Sequence, residues 1–204
     1  MKAVFTELPE DVQAFRRRTG ADRWDEMWDG VLHMPPMPNF DHQGLVFDLA
    51  VWLRHNWSRL NQGRIWVDVN VASPGSWPNN YRVPDIVLMT RQHRRQIHGS
   101  HMEGPPLVAV EICSPNDETY EKLPFYAELG TPEVWIIHRD SREMELQILS
   151  EGIWLTATPD QDGWLTSPAT GVQFRTGEGR RLAVRLESRP GDVTMLPEED
   201  FDLP

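Results

Sequence analysis

A single cysteine, Cys113, occurs in the 204 residues. That excludes an intrachain disulfide and any zinc site built from several cysteines, and it fits a reducing compartment. No apolar run approaches the roughly 18 residues that a membrane-spanning helix needs. The opening MKAVFTELPEDVQAFRRR carries acids and has no apolar segment, so no secretory signal is expected and a soluble, cytoplasmic protein is. Basic residues are outnumbered as well. Twenty Lys and Arg stand against 31 Asp and Glu, a formal net charge of −11. The average surface therefore repels nucleic acid, and any DNA contact must come from a local basic patch. Internal repeats and low-complexity blocks are also missing.

What the chain does have is core material. Hydrophobic residues make up 39% and include nine Trp and seven Phe, too much apolar surface for a disordered chain. The length suits one domain, and seventeen Pro call for many short elements with sharp stops. A helix is expected over Glu10 to Arg18, ending at Gly20, and Asp29-Gly30 marks a hairpin. From Asp41, the residues Leu45, Leu49, Trp52, Leu53, Asn56 and Leu60 recur at spacings of three and four. They predict a helix capped by Asn39 or Asp41 and closed by Gly63.

RIWVDVNV alternates like one half-buried strand, and YRVPDIVLMT predicts the next. LVAVEIC and EVWIIHRD are nearly continuous apolar runs, expected as strands buried on both faces. Between them NDETYEKLPFYAELG is helical, with Pro124 kinking it or starting a second piece. That connection is the length of a βαβ unit and predicts two parallel strands. MELQILS pairs with EVWIIHRD as a hairpin, and further strands are expected near Ile153–Ala157 and Leu182–Leu186. The order implies an α/β or α+β fold, a mixed central sheet flanked by helices. It spans residues 1–186, with residues 187–204 as an acidic tail.

Two acids sit where strands should be apolar, Asp85 in VPDIVLM and Glu111 in LVAVEIC. An unpaired buried carboxylate is costly, so each must face solvent, pair with a cation or bind a metal. On adjacent strands the two would suit a hard divalent cation such as Mg²⁺. The plainer alternative is a turn cap at Asp85 and a salt bridge at Glu111. Lys122, on the helix leaving the glutamate strand, is placed to fold back toward both and to neutralise charge building on a phosphate. Glu26, in WDEMWDG, is a further acid in a Trp- and Met-rich segment.

Four stretches together resemble a known family: DEMWDGVLHM, DHQGLVFDLAVWL, VPDIVLM, and VAVEICSPNDETYEKLPFYAELGTPEVWIIHRD. They are similar to the bacterial restriction-endonuclease (Uma) family within the PD-(D/E)XK nuclease superfamily, over roughly residues 23 to 140. The resemblance implies a restriction-endonuclease-like fold and Mg²⁺-dependent cleavage of DNA, with Mn²⁺ as a substitute. It makes Asp85 and Glu111 the metal ligands, adds the Ile112 carbonyl, and gives Glu26 and Lys122 catalytic parts. In the superfamily's basic pattern the lysine lies two residues after the glutamate, where this chain has Cys113. The role therefore passes to Lys122 on the following helix. A homodimer is also what the resemblance implies.

Other features stay open. His93, His98 and His101 invite a zinc reading, but their spacing matches no common signature and Arg91, Arg94 and Arg95 would repel a cation. This loop is either a patch that meets a phosphate backbone or a solvated surface. His42 is a substrate or metal-water contact or a structural histidine. Tyr126 is expected to pack beneath the site, without a catalytic part. Three functions follow: a metal-dependent endonuclease, a catalytically inactive binding module of a DNA-mobility or defence system, or a hydrolase of a smaller phosphate ester.

Overall fold

A computed structural model describes residues 3–5, 9–20, 22–61 and 63–197. In chain order, β1 (Ala3–Phe5) and α1 (Glu10–Thr19) precede the hairpin β2 (Glu26–Trp28) and β3 (Val31–Met34). Helix α2 (Phe40–Leu53) continues through a π turn at Arg54–Ser58 into α3 (Arg59–Asn61). Then come β4 (Arg64–Val67), β5 (Asn70–Ala72), β6 (Tyr81–Arg82) and β7 (Ile86–Met89). A 3₁₀ turn at Arg91–Gln96 leads to β8 (His101–Glu103) and β9 (Val108–Cys113). A second 3₁₀ turn, Tyr120–Lys122, runs into α4 (Leu123–Leu129). The rest is β10 (Glu133–His138), β11 (Met144–Ser150), β12 (Ile153–Thr156), β13 (Leu165–Thr166), β14 (Val172–Thr176), β15 (Leu182–Leu186) and β16 (Arg189–Leu196).

These strands form three sheets. The central one has the order β12-β11-β10-β9-β7-β4, an N-terminal sheet has β1-β3-β2-β6-β5-β8, and a C-terminal sheet has β13-β14-β15-β16. The expected parallel pair is present: β9 and β10 run side by side with Glu111 opposite Ile136. Their connection carries the helix, and Pro124 occupies the first turn of α4, where its missing N–H costs nothing. Mixed strands with few helices make this an α+β architecture.

The middle strands of the central sheet are buried on both faces, which is why β9 and β10 are continuously apolar. Val108, Val110, Ile112, Trp135 and Ile137 pack with Leu45, Leu49, Leu53 and Trp57 of the α2–α3 unit and with Phe174, Leu182 and Val184. Ala109, Val134 and Ile136 face Phe125, Tyr126, Val71 and Met102 instead. Alternation along β9 thus puts Glu111 on the α4 side. The cap of α2 is Asn39, whose Oδ1 accepts the His42 N–H at 3.0 Å. Gly63 closes the unit for a steric reason, since a Cβ there would collide with the Trp57 ring.

Two expectations from the sequence change. RIWVDVNV is not one strand, because Asp68 takes a left-handed conformation (φ 51°) and breaks it. The first half is the edge strand of the central sheet, with Trp66 and Val67 exposed, and the second half joins the N-terminal sheet. Residues Arg189–Leu196, within the segment read as an acidic tail, pair with β15, and Leu196 is buried. The end of that segment, 198–204, lies outside the described residues. Among the described residues no helix is long and apolar enough to cross a membrane.

Candidate active site

Register builds the site. β7 and β9 are antiparallel with Ile86 opposite Val110, so Asp85, one residue before β7, falls level with Glu111. Each strand alternates, and both residues fall on the α4 face. Pro84 lies in the short link between β6 and β7. Asp85 Oδ2 accepts the Ile112 N–H at 2.6 Å, so its carboxylate caps the end of β9 where the ladder to β7 has stopped. Glu26 enters from the other sheet. Its Oε1 accepts the Val83 N–H at 2.8 Å and its Oε2 accepts the Trp28 indole N–H at 2.7 Å, leaving it 4% exposed.

Lys122 joins the two sheets. Its Nζ lies 2.8 Å from Glu111 Oε2 and 2.9 Å from Glu26 Oε1. Tyr126, four residues later and fully buried, donates its hydroxyl to Glu111 Oε1 at 2.5 Å. Both Glu111 oxygens are therefore partnered, which fixes its rotamer. Beneath them the Arg82 guanidinium lies between the Trp28 and Phe125 rings, 4.2 and 4.3 Å from their centroids. Its Nη1 donates to the Met27 and Tyr81 carbonyls. His42 comes from α2, with Nε2 3.3 Å from Asp85 Oδ1 and a buried Nδ1 that has no partner.

Burial and charge crowding act together here. Burial pushes the Glu111 carboxyl up to about 7, against the pull of Lys122 and with help from Asp85 and Glu26. Burial draws the Lys122 ammonium down, but Glu111 and Glu26 outweigh it and hold the group well above its usual range. His42 is desolvated too, yet Asp85, Glu111 and Asp68 keep its pKa raised. Glu26, Asp85 and Glu111 thus gather around the buried Lys122 ammonium with Arg82 close by, while Asp68 faces Arg23 and His42. A hard divalent ion fits this donor set, which is oxygen-rich and short of positive charge.

The residues singled out in the sequence converge: Asp85, Glu111, Lys122 and Glu26 meet, and Ile112 touches Asp85 through its amide. Sequence reasoning missed Asp68, whose carboxyl is pushed up by burial and by Asp85. The apparent strand alternation of RIWVDVNV hid it, although Asp is one of the few non-glycine residues that visit positive φ. It also missed Arg82 as the second buried cation. His93 has a local role, since its Nδ1 accepts the Thr90 N–H at 3.0 Å and caps the 3₁₀ turn.

Comparison with known proteins decides the family. A family model, Uma2, described as "Putative restriction endonuclease", matches residues 10–184. The chain belongs to the Uma2 family. The resemblance drawn from the four stretches is therefore borne out, and the match covers the central sheet and all the residues of the site. A solved structure is similar: the crystal structure of a putative nuclease belonging to DUF820 from Anabaena variabilis ATCC 29413. It superposes with a TM-score of 0.57 at 15% identity, over 71% of this chain and 82% of that one. The nuclease-like fold is thus shared. A comparison with curated proteins gave no match.

Proposed function

We propose that this Uma2 protein is a Mg²⁺-dependent endonuclease that hydrolyses phosphodiester bonds in DNA. The observation that carries the reading is the buried Lys122 ammonium held between Glu26 and Glu111, with the Asp85 carboxylate on the adjacent strand. A purely structural ion pair needs no surplus of acid, and burying surplus charge is costly. The surplus supports a further cation. Asp85, Glu111 and the Ile112 carbonyl would hold it, with Mn²⁺ as a substitute. Within a strand the N–H and C=O of one residue point to the same edge, and the Ile112 N–H already points at Asp85. When bound, the ion supplies Lewis-acid polarisation of the scissile phosphate and acidifies a water.

The protein's own groups do the rest. Lys122 stays protonated; two of its three N–H donors go to Glu111 and Glu26, and the third is left for a phosphate oxygen or the attacking water. Glu26 holds Lys122, Tyr126 holds Glu111 and His42 holds Asp85, so these three position groups that touch substrate or ion. The choice of DNA over a small phosphate ester is supported by a family described as "Putative restriction endonuclease". The exposed Arg91, Arg94 and Arg95 add a basic patch on an otherwise acidic surface. A module that only binds would have no chemical need of all four residues together.

The test is conversion of supercoiled plasmid to nicked or linear form with Mg²⁺ or Mn²⁺, wild type beside Glu111→Ala. Cutting by wild type that a chelator stops and the variant lacks is the expected result. Equal cutting by both, or none by either, rejects the proposal.

A further inference from the structure

The hairpin between the 3₁₀ turn and β9 holds a second constellation that the nuclease reading does not use. Ile97 bridges Met102 in antiparallel fashion, and the His98 N–H donates to the His101 carbonyl at 2.8 Å. His98 therefore faces His101 across the turn. His101 and Glu103 are two apart on β8 and share a face, while Met102 between them is buried on the other. The sequence HGSHME thus delivers two imidazoles and a carboxylate to one spot. Among the described residues this is the group of three or more potential metal ligands, with ligand atoms all within 4.8 Å of one another.

The distances suit an ion. His101 Nε2 lies 3.4 Å from Glu103 Oε1, and His98 Nε2 lies 3.9 Å from Glu103 Oε2. Ligands of one tetrahedral zinc are about 3.3 Å apart, given bonds near 2.0–2.1 Å. The supports are built as well. His101 stacks on Trp77 (4.4 Å, 5°), which holds its ring, while the exposed His98 ring lies nearly parallel to it (4.8 Å, 13°) and must rotate for both imidazoles to aim a lone pair at one ion. Its Nδ1 meets Ser100 Oγ at 3.3 Å, which leaves Nε2 for an ion, and Glu103 Oε2 accepts the Gly75 N–H at 3.3 Å. Such outer contacts orient a ligand set.

We infer that His98, His101 and Glu103 form a transition-metal site of the Zn²⁺ type, separate from the carboxylate cluster. Two imidazoles and one carboxylate suit zinc better than Mg²⁺ and leave a position open to water. The ion ties the hairpin at 98–101 to the loop carrying Gly75 and Trp77. This inference goes beyond the proposed nuclease activity and does not rest on it.

The test is calorimetric titration of the full chain with ZnCl₂ at pH 7.5, in a Glu111→Gln background so that the acidic cluster contributes little. One Zn²⁺ per chain is expected, with thermal stabilisation. Adding His98→Ala or Glu103→Gln should weaken binding by at least about tenfold, since loss of even an outer-shell partner costs that much. His98 is 47% exposed, so its removal leaves the core intact, and circular dichroism checks this. The imidazole carbon-bound proton signals of His98 and His101 should shift with Zn²⁺. Absence of Zn²⁺ binding in the background chain, or equal binding after His98→Ala, overturns the inference.

Discussion

Replacing Glu111 by Gln should raise stability relative to wild type progressively as pH rises, while abolishing cleavage. The reason lies in where Glu111 ionises. Unfolded, its carboxyl titrates near the ordinary 4.5; folded, burial moves it to about 7. Between those values the native state keeps a proton that the unfolded state has released. Wild-type stability therefore falls as pH rises through that window, and the loss is complete near pH 8. At about 1.4 kcal/mol for each pH unit, the loss is about 3 kcal/mol. Gln has no such proton to lose. It also fits the contacts, because its oxygen accepts from Lys122 and its NH₂ donates to the Tyr126 hydroxyl, which accepts as readily as it donates. Any constant offset from the exchanged hydrogen bonds is present at every pH and cancels when two pH values are compared. The assay is urea unfolding followed by tryptophan fluorescence at pH 5 and pH 8. The stability difference, variant minus wild type, should grow by about 2–3 kcal/mol between the two. A difference that is flat or shrinks with pH would refute the reasoning.

Three further outcomes follow from the same structure. Lys122→Met should reduce the rate of plasmid nicking by about 10²–10³, the usual cost of losing one donor to developing charge, while Glu111→Gln/Lys122→Met should be more stable than Lys122→Met alone because one unpaired buried acid is gone; nicking kinetics and urea midpoints check both. Gly63→Ala should destabilise by about 1–3 kcal/mol, the cost of overpacking a filled core, because its methyl meets the Trp57 ring and the Met89 carbonyl; a thermal melt of the variant measures it.

Asp85 and Glu111 were legible in the sequence because a carboxylate inside an apolar run has few affordable explanations, and the physics holds wherever the strand ends up. The parallel pairing of β9 with β10 was legible for a similar reason, since connection length restricts topology. Asp68 was not. Its residues alternate like a strand, and only the left-handed backbone at that point shows that the chain changes sheet. The grouping of His98 and His101 with Glu103, rather than with His93, depends on a turn register that spacing alone does not define. Lys122 was visible as a candidate, but its grip on Glu26 required two separate sheets to meet, and nothing local encodes that.

The lysine of this site is carried by a turn rather than by the glutamate strand, whose second position past Glu111 is Cys113. A strand-borne lysine is tied to its glutamate by a fixed two-residue step. A turn-borne one is tied only by where its ammonium arrives, so the intervening loop is free to change length over evolutionary time. Searches keyed to a rigid spacing between the acid and the base will pass over such proteins, whereas searches keyed to the spatial triangle of Glu26, Glu111 and Lys122 will find them.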